Sequence, residues 1–364
     1  MRMQNFTIVG RKGFAMLRLA VLQLQRSSAP VLSLARGFAV VSGKPVDDAV
    51  AVRRKQSAYY VRITRKHPSR LSMEAVDRTA RFLTDRGLSQ TQALRAISCH
   101  VMLTTYTPGM MEGKIDWLKN LGLSHAKINQ TIVRHPNILG FSFERLDARV
   151  EWFISRGVPE EKMSYVLSIF PAAISFADDT LNLKVDFLKE NGLDDDQIAR
   201  ILVKNPQVLG YSVKKVQTNL DFLEELGVPA EKLPGLITTV PECIGLKTDR
   251  IQETVDMVDE MFGKGAGVQA LIVQQRIVMY NISSMRRSYD YLLSVGISKE
   301  TLEKNLRFFM RNASRLLRPR VKFLKSKGVY AVRDTSWIMM TEGRFMQKYP
   351  GYSAFLTEYK RQMK

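Results

Sequence analysis

The stretch that decides the fold runs from Phe187 to Ser212, FLKENGLDDDQIARILVKNPQVLGYS. Gly192 suits the end of one helix, because it tolerates a positive φ. Asp194-Asp195-Asp196 then starts a second helix, where acids complement the dipole and cap free amides. Ile198 and Leu202 recur at helical spacing. Pro206 stops that helix, since it has no amide hydrogen and crowds the preceding turn. A short apolar turn leads to Ser212, a good cap for the next helix.

The same reading repeats outward. Gly87, Gly122, Gly157, Gly192 and Gly227 are each 35 residues apart, as are Pro136, Pro171, Pro206 and Pro241. Phe82, Trp117, Trp152, Phe187 and Phe222 keep the same step, and their fixed phase beside the apolar stripe marks them as core residues rather than base-stacking platforms. After Ser142 the residues Phe143, Leu146, Val150 and Phe153 form one apolar stripe; Val213, Val216, Leu220 and Leu223 form another. The period then loosens through Gly263, Gly296 and Gly328, at steps of 36, 33 and 32. No single unit can bury its own stripe, whereas stacked units can. The expected fold is all-α: a right- or left-handed superhelical α-solenoid of about seven 35-residue units, each of two helices and a short proline-initiated turn. The first unit has Cys99-His100-Val101 where a proline is expected, and the units after Gly263 also lack one, which leaves their geometry open.

Composition sharpens the picture. The 364 residues carry 55 Lys+Arg against 35 Asp+Glu, a net charge of +20. Residues 1–46 hold seven basic residues and no acid, as an organelle transit peptide does. Residues 47–110 carry 11 basic and 5 acidic residues, 111–310 carry 24 and 27, and 311–364 carry 13 and 3. The middle is nearly neutral and both ends are basic, which points to a polyanionic partner. The expected division is a transit peptide at 1–46, a basic flexible arm at 47–70, the solenoid at 71–350 and a basic C-terminal tail at 351–364. No apolar run reaches the ~18 residues a membrane span needs, and a monomer is expected. Two cysteines and four histidines in no ligand spacing imply no metal and no cofactor. With no acid–base pair or nucleophile triad, no enzymatic activity is expected.

The quoted stretch, with FISRGVPEEKMSYVLSIFPAAISF (Phe153–Phe176) and FLEELGVPAEKLPGLITTVPECIGL (Phe222–Leu246), resembles the repeats of the mitochondrial transcription termination factor family, mTERF. The resemblance covers roughly residues 71–350. It implies organellar proteins of paired helices plus a short third turn, with a basic inner groove for double-stranded DNA or structured RNA. Transcription termination or initiation, RNA processing and ribosome assembly are the implied roles. The mitochondrial matrix is the expected address, with a plastid as second choice. A protein-interaction scaffold in organellar ribosome assembly is the alternative function, and an organellar protein partner is allowed by it.

Candidate phosphate contacts are basic residues that recur in phase. Arg134 and Lys204 lie two before a proline; they could cap their own helix or line a rim. Arg145, Lys215 and Arg250 share another phase. Arg307, Arg311, Arg315 and Arg318 follow at steps of four, four and three, which on one helix would make a ridge ended by Pro319; Arg320 follows it. Gly263-Lys264-Gly265-Ala266-Gly267 lacks the order of a phosphate loop and reads as a loosened turn.

Overall fold

The computed structural model describes residues 72–362, together with Gln56, Ala58, Tyr59 and Ile63. The expected leader at 1–46 and nearly all of the arm at 47–70 lie outside the described residues. The chain divides into Met1–Arg62 and Ile63–Lys364, and the second part holds the whole repeat array.

Seven units of helix, helix and 3₁₀ turn follow one another. The first helices are α1 (Met73–Thr84), α3 (Pro108–Asn120), α5 (Phe143–Ile154), α7 (Asp178–Glu190), α9 (Val213–Glu225), α11 (Thr248–Phe262) and α13 (Ile282–Ser294). The second helices are α2 (Gln90–Cys99), α4 (His125–Arg134), α6 (Met163–Ile169), α8 (Asp195–Lys204), α10 (Leu233–Thr239), α12 (Ala266–Val273) and α14 (Lys299–Glu303). A closing section adds a π turn (Ala313–Leu317) and α15 (Arg318–Ser326), α16 (Ser336–Met339), α17 (Glu342–Lys348) and α18 (Tyr352–Gln362). Among the described residues there is no strand.

Local chemistry accounts for the boundaries. The Ser142 hydroxyl accepts from the Arg145 amide at 3.3 Å. Asp194 and Gln197 form a reciprocal capping box, as the acidic start of α8 predicts. Gly157 and Gly192 end first helices at φ of 79° and 82°. The loosened stretch is a tight corner, with Gly263 capping α11 and Gly265 preceding α12 in the left-handed region.

The turns do not depend on proline. Five-residue 3₁₀ turns form at Pro136–Gly140, Pro171–Ser175, Pro206–Gly210 and Pro241–Gly245, and equally at Val101–Thr105, Gln275–Met279 and Leu306–Met310. In every unit the residue before the turn leaves the helical region, from His100 (φ −139°) to Asn305 (φ −144°). Second helices pack on second helices, α2 on α4 and α8 on both α6 and α10, and the turns stack on one another. The residue after one turn covers the end of the next: a methyl on Gly245 would collide with the Tyr211 ring, and one on Gly140 with the Tyr106 hydroxyl.

First helices are tied side by side. Trp117 Nε1 donates to Asp147 at 2.7 Å and Trp152 Nε1 to Asn182 at 2.9 Å. Trp152 is buried, but Trp117, Phe187 and Phe222 are only half-buried. Trp117 and Trp152 therefore line the seam between first helices, while Phe82 is buried in the core.

Three expectations about the C-terminus are corrected. Arg307 lies in a 3₁₀ turn, Arg311 in an extended residue (ψ 120°), Arg315 in the π turn and Arg318 at the start of α15, so the four share no helix and form no ridge. Pro319 does not end a helix; it sits in the first turn of α15, where its missing amide costs nothing. The segment expected as a tail is helix α18, with Tyr352 and Leu356 buried.

Candidate nucleic-acid interface

The 3₁₀ turns create a problem that decides which basic residues are free. Each turn runs into extended chain, so its last carbonyls find no helical partner and need donors. One position recurs in phase on the first helices, Thr79, Lys114, Arg149, Lys184, Asn219, Thr254 and Ser288, continued by Arg320 on α15, and from it Arg149, Lys184, Asn219, Ser288 and Arg320 supply donors. All are buried except the half-buried Lys184.

The donors differ but the task recurs, and in the first and sixth units it falls to Arg78, on the Thr104 carbonyl, and to Arg250, on the Tyr280 carbonyl. Arg149 Nη2 donates to the Phe176 carbonyl at 2.7 Å and pairs with Asp178. Lys184 Nζ donates to the Leu209 and Tyr211 carbonyls, the latter at 2.6 Å. Asn219 Nδ2 reaches the Ile244 and Leu246 carbonyls, both at 2.9 Å, and that of Cys243 at 3.2 Å. Ser288 Oγ donates to the Arg311 carbonyl at 2.6 Å. Burial lowers the Lys184 and Arg149 pKa values, so these cations are held by the array rather than offered to solvent.

Several expected phosphate contacts belong to this latch. Arg320 is fully buried and donates to the Trp337 and Met340 carbonyls at 2.6 and 3.0 Å and to Glu342 at 3.0 Å. It cannot touch a phosphate, and its assignment to the interface is corrected. Arg145 is exposed, but its guanidinium bonds the Ile174 and Ser175 carbonyls at 3.1 and 3.0 Å. Arg250 donates to the Tyr280 carbonyl and to Thr254. Lys215 Nζ donates to Asn219 Oδ1 at 2.8 Å. Arg311 is half-buried and donates to the Met339 carbonyl at 2.7 Å.

The other expected residues remain at the surface. Arg134 is exposed, and Lys204 is exposed with Nζ 3.4 Å from the Thr238 carbonyl of the next unit, so it does not cap its own helix. Arg307 and Arg315 are exposed, as is Arg318, whose guanidinium lies 4.7 Å from the Tyr291 ring centre.

Among the exposed cations missed by sequence reasoning are Arg95, Arg200, Arg276 and Lys304. Their signal was phase. Arg95 and Arg200 are three periods apart, Arg200 is one turn before Lys204, and Arg276 and Arg307 are both second residues of a turn. With Arg134 and Lys204 they lie on the stacked second helices and turns, where Tyr165, Gly235 and Thr239 fill the neutral positions and Glu242 is the one in-phase acid.

Acids concentrate elsewhere. Asp116, Glu151, Asp186, Asp221, Asp256 and Asp290, at steps of 35, 35, 35, 35 and 34, are exposed on the first helices. The near-neutral charge of residues 111–310 thus hides in-phase rows of opposite sign, cations on second helices and turns and acids on first helices. A basic face built from helix ends and turns can follow a phosphate backbone without reading bases.

A comparison with curated proteins finds no match. A family model described as mTERF matches residues 62–345, nearly all of the repeat array. The paired helices, the third turn and that match agree, and the chain belongs to the mTERF family, whose organellar members bind nucleic acid and regulate gene expression.

Proposed function

We propose that this chain binds double-stranded DNA or structured RNA through phosphates along its second-helix face, without catalysis, and so regulates transcription termination or initiation, or RNA processing, in the mitochondrial matrix. The observation that carries the reading is the segregation of charge. Exposed cations from Arg95 to Arg307 share the face of second helices and turns, and the row of acids occupies the first helices. The acid-free leader supports the address. A duplex laid on the acidic side would meet a carboxylate on each unit from the second to the seventh, and like charges there cost binding.

The test is a gel-shift titration of a duplex at several salt concentrations. With 6–10 phosphates engaged, affinity drops by roughly 10³–10⁵ between 50 and 200 mM salt. Joint reversal of Arg134, Arg200, Lys204 and Arg307 to glutamate abolishes binding, while reversal of Lys189 and Lys232 leaves it nearly intact. A flat salt response, or equal losses from both sets, removes the proposal.

A further inference from the structure

The acidic row is ordered by the same ties that align the first helices. Asp147 and Asn182, which accept the indole N–H groups of Trp117 and Trp152, lie four residues before Glu151 and Asp186. Gln217 and Gln252 hold the equivalent places and donate to Asp221 and Asp256 at 2.6 and 2.8 Å. One helical turn separates each tie from its acid, so the acids fall in line across the units. Among the described residues only Asp116 of the six forms an ion pair, with Lys119 of its own helix. Glu190, Glu224, Glu225 and Glu253 add exposed charge nearby.

The face is not merely a solvated polar one. Ile154, Leu183 and Leu293 are 39%, 58% and 37% exposed. Each stands three residues from a row acid, Glu151, Asp186 and Asp290 respectively, and so on the same side of its helix. Large apolar side chains beside a row of acids, of which only Asp116 is held in an ion pair, suit a partner that brings both positive charge and an apolar stripe.

We infer that the first-helix face is a docking surface for a protein partner presenting a basic amphipathic helix. Spacing selects that shape. Packed helices lie about 8–10 Å apart, so successive acids of the row are separated by about that distance. A helix laid across them advances about 10 Å in seven residues, so cations at heptad spacing meet successive acids while apolar residues on the same stripe cover Leu183 and its neighbours. This surface is separate from the second-helix face and leaves it open to nucleic acid.

The experiment uses the full chain and a labelled 21-residue lysine–leucine peptide with lysines at heptad spacing, alongside a shuffled peptide of the same composition. In fluorescence anisotropy at 150 mM salt, the heptad peptide is expected to bind at least about tenfold more tightly than the shuffled one. Asp186→Lys with Asp221→Lys lowers its affinity at least about tenfold, since like charges then face each other. Leu183→Ser lowers it severalfold. Glu160→Lys with Glu161→Lys, exposed acids of a different turn, leaves it unchanged. Melting curves confirm that the exposed substitutions leave the fold intact. Equal binding of the two peptides, or unchanged binding by the row variants, overturns the inference. Tighter duplex binding by the row variants with unchanged peptide binding overturns it too, and would mark the row as a device that only repels nucleic acid.

Discussion

A recurring buried position on the first helices helps hold the units shut where its occupant is lysine, arginine, asparagine or serine. What the position requires is a hydrogen-bond donor, because the 3₁₀ turn leaves carbonyls that water does not reach. Asn219→Leu preserves size but leaves the Cys243, Ile244 and Leu246 carbonyls without their donor; a loss of about 2–3 kcal/mol is expected in urea unfolding. Arg320→Met keeps the stem and removes donors to the Trp337 and Met340 carbonyls, for about 3 kcal/mol or more. Neither substitution touches the exposed cations, so nucleic-acid affinity measured on the folded variants is expected to stay within about twofold. A large drop in affinity with unchanged stability would reverse the assignment of Arg320. Lys204→Ala carries the opposite signature: unchanged melting, and a slope of log affinity against log salt lower by about 0.9.

At the scale of elements, the turns explain why proline is dispensable. Proline favours the break, but packing against neighbouring helices and donors to the chain that follows, Arg250 and Ser288, supply the rest, so Gln275–Met279 and Leu306–Met310 form without it. The loosened sixth unit depends on close backbone approach instead. A methyl on Gly267 would lie 2.5 Å from the Val255 carbonyl oxygen and 2.8 Å from its Cα. Gly267→Ala is therefore expected to cost about 1–3 kcal/mol, although alanine is the better helix former, and thermal melting reads it directly. The second turn brings a pH response. His135 Nε2 lies 2.7 Å from Ser175 Oγ, and burial, with His100 nearby, pushes the His135 pKa down to about 4. The folded chain thus prefers neutral imidazole. Its contribution is complete above the unfolded value near 6.5 and is lost as pH falls from there toward 4. Urea midpoints at pH 7.5, 5.5 and 4.5 are expected to fall stepwise, and less steeply in His135→Gln; parallel curves would show that other groups govern acid lability.

Across the whole array, the net charge of the middle units conceals its arrangement. In-phase rows present cations where second helices and turns stack and carboxylates where first helices lie side by side. Steering of a polyanion follows from that local field rather than from the sum of charges.

The sequence by itself determined the repeat. Its marks are properties of single residues and their neighbours: glycine at positive φ, proline without an amide hydrogen, apolar residues at helical spacing. Gly192, Pro206 and the Ile198–Leu202 stripe announce the unit without knowledge of any other. Phase also held Arg134 and Lys204, and could have held Arg95 and Arg200. What the sequence did not separate was a free cation from an occupied one. Arg315 and Arg320 stand in the same basic run, yet one is exposed and the other is fully buried against three acceptors. Only the tertiary structure decided between them. The need for a donor arises when a later turn brings unpaired carbonyls against an earlier helix, 17 to 30 residues away, and no local pattern records where those carbonyls will lie.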